Sequence, residues 1–175
     1  MRLGNYQSLD EKSIKSVFMD YIDALEIPII DYVAIGVQDT IHKTITSMMS
    51  RAEWQETFRN LGLADHDPLR KASFTTKANI FSFDELDYQD SYGSEVMRQR
   101  RRHEIENGLV IMHKKLGYNF MLTLATGYKN FSPYKFFIDK HTAIERIFDD
   151  LIKLVSPATK EYQAQILNRR VGDAK

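Results

Sequence analysis

The chain has 175 residues, enough to bury a substantial core without help from disulfides or metal. Its 24 Lys plus Arg balance 24 Asp plus Glu, so no global charge draws it to nucleic acid or an anionic membrane, and either partner would need a local patch. Cysteine is absent, which excludes a disulfide framework, thiolate zinc sites and cysteine nucleophiles. The N-terminal MRLGNYQSLDEK has no apolar signal core, and no run approaches the roughly 18 apolar residues of a membrane span. One domain with a cytoplasmic address and no membrane partner is the expectation.

Ser8 and Glu11 have capping-box spacing, and Ile14, Val17, Phe18, Tyr21, Ile22 and Leu25 recur on one stripe, predicting a helix over about residues 9 to 25. Pro28 stops it. IIDYVAIGV reads as a strand ending near Gln38-Asp39, and the alternation in Thr40 to Met48 predicts a second, with His42 solvated or cross-strand. A short helix carries Trp54, after which Phe74 to Phe83 is a third strand candidate and DELDYQD a surface turn. SEVMRQRRRHEIEN predicts a helix ended by Asn107-Gly108, with Arg98, Arg100, Arg101, Arg102 and His103 on a solvated surface paired to glutamates. Leu109 to His113 and Tyr118 to Thr126 form a hairpin, joined by Lys114 to Gly117. A last long helix starts with Ser132 as N-cap and Pro133 at N1, buries Phe137, Ile144, Phe148, Leu151 and Val155, and stops before Ser156-Pro157. The tail to Lys175 has room for one short helix.

The stretch with the most chemistry is Met49 to Pro68. Residues four apart on a helix share a face, so Trp54 and Phe58 can line one apolar wall, and the sole indole N–H of the chain needs a partner wherever it is buried. Pro68 restricts the backbone at Asp67 and so limits where that carboxylate points. One donor, one acceptor and two aromatic faces can hold a small amphipathic molecule. The plainer alternative makes Trp54 and Phe58 ordinary core and Asp67 a turn or cap residue. Asp65-His66-Asp67 is the only local cluster of metal-ligand types, but adjacent positions cannot all face one ion without an irregular loop, and the remaining histidines show no i, i+4 pairing. No metal and no cofactor are expected. There is no G-x-S-x-G, P-loop or G-x-G-x-x-G, so an enzyme has no support.

A helix, the DYVAIGV strand, a second strand, W-x3-F-x8-D-P, then IFSFDEL, ENGLVIMH and FMLTLAT before a long helix together resemble the autoinducer-binding domain of LuxR-type quorum-sensing regulators, over about residues 9 to 155. The resemblance implies an α+β fold, an α-β-α sandwich around a five-stranded, mainly antiparallel sheet, with an N-acyl-homoserine lactone held between the sheet and one helix layer. By motif, Trp54 would donate to the lactone carbonyl, Asp67 would accept the acyl-amide N–H, and the Thr123 hydroxyl would reach the amide or acyl carbonyl. Phe58 would pack along the ligand where the family usually has tyrosine.

The sequence departs from the family's pattern around this pocket. Ser50 or Met49 stands where a tyrosine is common, and the position of a second tryptophan falls at Ser82 or Phe83, of which only Phe83 offers a ring. The hairpin after Gly108 is about five residues shorter than usual. These departures leave room for a ligand other than a homoserine lactone. The family's C-terminal helix-turn-helix has no counterpart after the last long helix, so the chain is expected to be an isolated or natural sensor-only domain that binds no DNA directly. Its expected partners are a small amphipathic signal and a second copy or a related regulator. The alternative is a ligand-free module that pairs with full-length regulators and inhibits them.

Overall fold

A computed structural model of the protein describes residues 6–8, 12–42 and 44–155. In chain order the elements are β1 (Tyr6–Ser8), α1 (Lys12–Asp23), β2 (Tyr32–Asp39), β3 (Thr44–Met49), α2 (Ala52–Asn60), α3 (Pro68–Thr75), β4 (Ile80–Ser82), α4 (Ser91–Arg102), β5 (Asn107–Lys115), β6 (Tyr118–Thr126) and α5 (Pro133–Val155). Short 3-10 turns at Leu63–His66 and Phe83–Glu85 connect α2 to α3 and follow β4. The sheet order is β1-β3-β2-β6-β5-β4. Five strands, β3-β2-β6-β5-β4, are antiparallel as the sequence implies, and β1 adds a three-residue parallel edge against β3.

Period-two alternation sorts the sheet residues into two faces. Val33, Ile35 and Val37 of β2, with Phe120, Leu122 and Leu124 of β6, face α1 and α5 and pack with Phe18, Ile144, Phe148, Leu151 and Val155. Tyr32 and Ala34, with Val110, Met112 and Met121, face the other way into a second apolar cluster containing Trp54, Phe58, Leu63, Val96 and Met97. All nine β6 residues are buried, because helices cover both faces of this central strand. The result is an α-β-α sandwich.

Several local expectations change. Ser8 lies in β1 opposite Ser47, so α1 begins at Lys12, while Glu11 of the expected box lies outside the described residues. β3 starts at Thr44 because Asp39 turns the chain first, its Oδ1 accepting from the N–H groups of Ile41 and His42 at 2.9 Å. Phe74 and Thr75 are helical, since Asp67 and Pro68 start α3 and its hydrogen bonds carry through Thr75; the strand shrinks to Ile80–Ser82. α4 ends at Arg102, and Glu104 with φ 57° takes the left-handed position that Gly108 was expected to supply. Gly108 has a different reason to be glycine: in β5 a Cβ would lie 2.5 Å from the Leu124 carbonyl oxygen and 2.7 Å from the Ala125 Cβ. The hairpin loop is tighter than expected, with only Leu116 and Gly117 between the strands, both at positive φ as a two-residue turn of the hairpin type requires. On α5 the buried set is Pro133, Phe136, Ile144, Ile147, Phe148, Leu151 and Val155, while Phe137 is half-buried. The tail from residue 156 lies outside the described residues. Among those described, no helix is long and apolar enough to cross a membrane.

Candidate functional site

The site is assembled where α2, the 3-10 turn after it, α3 and α4 cover one face of the sheet. α2 is fixed to β3 by buried Gln55, whose Oε1 accepts from Met49 N–H at 3.1 Å and whose Nε2 donates to the Ser47 carbonyl at 3.3 Å. This places Trp54, fully buried, and Phe58, 4% exposed, against the sheet with ring centroids 5.4 Å apart in an edge-to-face contact. Gly62, at φ 61°, reverses the chain after α2 and leads through Leu63–His66 to Asp67. Asp67 caps α3, its Oδ1 accepting from Leu69 N–H at 3.1 Å, and Pro68 occupies the first helical turn where its missing N–H costs nothing.

The Asp67 carboxylate is also gripped from α4. Arg100 donates from Nη1 to Oδ1 at 2.6 Å and from Nη2 to Oδ2 at 3.0 Å, a two-pronged ion pair whose side chains are 4% and 8% exposed. The guanidinium lies 5.4 Å from the Trp54 ring centroid and 5.9 Å from that of Phe58, so the aromatic faces add a second attraction. Burial works against the charge on Arg100, but the pull and hydrogen bonds of Asp67 outweigh it and raise its pKa above the ordinary arginine value. Arg70 is in the opposite position: burial lowers its pKa despite the attraction of Asp65 and Asp67. Its Nη1 donates to the Ala64 carbonyl at 3.3 Å and reaches Asp65 at 3.5 Å. The Trp54 indole N–H is buried and has no acceptor among the described residues.

Between this cluster and the sheet lies a cavity of about 50 Å³, walled by Gly36, Ser47, Met49, Phe58, Leu69, Asp67, Arg70, Arg100, Met121 and Thr123 among others. Phe58, Asp67 and Thr123 thus share one cavity, and Trp54 contacts two of its wall residues, Phe58 and Arg100. Phe83 is 4% exposed but lines a different, open cleft of about 510 Å³ with Asp84, Leu86, Tyr88 and Arg101. Ser50 serves the backbone, its Oγ accepting from Val33 N–H at 2.9 Å. Replacing Ser50 by Ala is therefore expected to cost about 1 kcal/mol of stability and leave ligand response unchanged; urea unfolding of the variant with and without ligand checks both. The Asp65-His66-Asp67 run diverges, with Asp67 on Arg100, the Asp65 side chain 65% exposed, and His66 stacked on Tyr92 at 4.5 Å.

The residue that sequence reasoning missed is Arg100, assigned to a solvated face. Its signal was present: Arg100 lies four residues after Val96 and three after Met97, the two large aliphatic residues of α4, and therefore on their stripe. All three are buried.

The protein-family model described as "Autoinducer binding domain" matches residues 11–138. No curated protein matches the chain. Among solved structures, Escherichia coli SdiA aligns with a TM-score of 0.59 at 10% identity, covering 95% of this chain and 80% of that one. A structure of SdiA in complex with octanoyl-rac-glycerol aligns with a TM-score of 0.56 at 10% identity over 97% of this chain and 80% of that one. CepR2 from Burkholderia cenocepacia, an N-acylhomoserine lactone dependent LuxR family transcription factor, aligns with a TM-score of 0.54 at 12% identity over 78% of this chain and 77% of that one. At these identities the likeness is one of fold. The family match spans most of the chain and includes Trp54, Phe58, Asp67, Arg100 and Thr123. The chain belongs to the autoinducer-binding domain family, the sensor domain of LuxR-type quorum-sensing regulators.

Proposed function

We propose that the protein is a small-molecule sensor whose ligand, an N-acyl-homoserine lactone or a similar amphipathic acyl signal, enters the cavity beside Phe58, Asp67 and Thr123 and acts in transcriptional regulation. The observation that carries this reading is the Trp54 indole N–H, fully buried without an acceptor among the described residues, on a ring that packs against two residues of the cavity wall, Phe58 and Arg100. An unsatisfied buried donor costs about 1–3 kcal/mol, and an acceptor on a ligand would remove the cost. Octanoyl-rac-glycerol, the ligand in the SdiA complex named above, carries such acceptors on an acyl chain. Binding requires the cavity to widen, because about 50 Å³ is far below the roughly 300–1,000 Å³ of a ligand pocket. Met49 and Met121 in its wall are side chains that repack readily.

The same small volume favours a second reading, in which the space is filled by the protein's own side chains and the chain acts without ligand, pairing with a related regulator. The two readings separate in a titration with acyl-homoserine lactones of graded chain length and acyl esters. The sensor reading expects a saturable change in the emission of Trp54, the sole tryptophan. It also expects a melting temperature raised by roughly 5–10 °C at a hundredfold excess over Kd, since a ligand at that excess stabilises the folded state by about 2.7 kcal/mol. A flat response across the panel would leave the ligand-free reading standing.

A further inference from the structure

A buried polar cluster closes one end of the cavity. Along the cavity face of the sheet Ala34 opposes Thr123 and Gly36 opposes Met121, and all four line the wall. The next pair on that face is Gln38 and Asn119, 0% and 2% exposed, and Ile45, the β3 partner of Gln38, still belongs to the wall. Gln38 Nε2 donates to Ser73 Oγ of α3 at 2.8 Å and to Met121 Sδ at 3.0 Å, while its Oε1 accepts from Asn119 Nδ2 at 3.0 Å. Ser73 stands one turn after Arg70, a wall residue, and donates to its carbonyl at 2.7 Å. Two groups in this cluster are poorly satisfied. A thioether is a weak acceptor, so one N–H of Gln38 has a poor partner in Met121, and Asn119 Oδ1 is buried with no partner among the described residues.

Resting on the sensor reading above, we propose that this cluster is a second polar subsite and that the ligand carries a hydroxyl at the far end of its acyl chain. Met121 is the gate, since it lines the cavity and its sulfur holds the Gln38 N–H. A tail that widens the cavity by moving Met121 aside takes that acceptor away. A methyl end then leaves the Gln38 donor buried and unpaired, whereas a hydroxyl accepts from Gln38 Nε2 and donates to Asn119 Oδ1, meeting both groups at once. The floor between head and subsite is open at Gly36. A Cβ there would meet only the Met121 Cβ at 3.8 Å and the Thr46 carbonyl oxygen at 3.9 Å, so neither close packing nor a positive φ demands glycine, and the missing side chain leaves room for a hydrocarbon. Thr123, beside the head, and Asn119 are four residues apart on β6, a span of roughly 13 Å, which places the hydroxyl at the end of a medium-length chain and away from its carbonyl.

The test is a calorimetric titration of the full chain with N-decanoyl-homoserine lactone, its ω-hydroxydecanoyl analogue and its β-hydroxydecanoyl analogue, repeated with the three corresponding methyl esters and followed in parallel by Trp54 emission. The expected result is one-to-one binding in which the ω-hydroxy chain is about tenfold tighter than the plain chain and the β-hydroxy chain gains nothing, because a site built to bond a hydroxyl discriminates against a ligand that lacks it there. Gln38→Met keeps the length of the side chain, removes its N–H, and should erase the ω-hydroxyl preference; should this variant not fold, the wild-type comparison of the two hydroxy isomers decides alone. A plain chain that binds as tightly as the ω-hydroxy chain would overturn the subsite and leave the sensor reading intact, with Gln38 serving only to tie α3 to the sheet. An equal gain from the β-hydroxy isomer, or a preference that survives Gln38→Met, would overturn it as well. If no member of either series binds, the sensor reading itself falls and this inference falls with it.

Discussion

Asp67→Ala is expected to lower the melting temperature of the ligand-free protein by roughly 10 °C or more, the largest effect of any single polar substitution at the site. Removing one member of a buried ion pair strands the other charge at a cost of about 3–5 kcal/mol, and Asp67 and Arg100 are both almost fully buried. Loss of the α3 cap adds about 1 kcal/mol, because Leu69 N–H then has no acceptor from Asp67. Arg100→Met should be costly for the reciprocal reason. The double variant Asp67→Ala, Arg100→Met should be less destabilised than the sum of the singles, since neither charge is left buried alone. Equilibrium unfolding of the three proteins measures this cycle. Additive losses would mean that the two side chains do not act as a pair.

Trp54 is the second sensitive position, and the choice of substitution separates its two roles. Trp54→Ala should cost about 3–5 kcal/mol, as for other fully buried aromatics, because it opens a large void and removes the ring against which Phe58 and Arg100 pack. Trp54→Phe keeps a ring and deletes a donor that has no acceptor in the free protein. Relief of that unsatisfied N–H, about 1–3 kcal/mol, opposes the loss of volume, so the net change in ligand-free stability should stay within about 1 kcal/mol. Ligand affinity should nevertheless fall by about tenfold, the contribution of one hydrogen bond made only in the complex. Denaturant unfolding and titration of Trp54→Phe give the two numbers. A large stability loss with unchanged affinity would make Trp54 a core residue and nothing more.

What could be read from the sequence follows from where local signals agree with tertiary ones. The β-branched and aromatic residues of β2 and the largely apolar run of β6 identified the central strands, because burial on both faces favours such runs directly. The Asp67-Pro68 pair was legible as a stop and a cap, yet its cap extends a helix through Thr75 that strand propensity in Phe74 and Thr75 had hidden. Gly108 was read in sequence as a helix end, and only the packing against Leu124 and Ala125 reveals the close strand approach that requires it. Arg100 was obscured by its neighbours. A run of arginines reads as a solvated face, and the partner that makes one of them a buried residue lies 33 positions away on another element. The same distance explains why Asp67 could be framed only as a ligand contact or as a turn or cap residue, when the structure adds to the α3 cap an ion pair with Arg100.

The claim that the cavity beside Arg100 is a ligand site is tested most directly by a crystal structure of the protein with the tightest-binding amphiphile from the titrations. The account predicts continuous density for an acyl chain along Gly36, Met49 and Met121, with the head against the Phe58–Arg100 wall and the Trp54 N–H supplied with an acceptor. A structure in which that space keeps its volume of about 50 Å³ while the amphiphile sits elsewhere would contradict it.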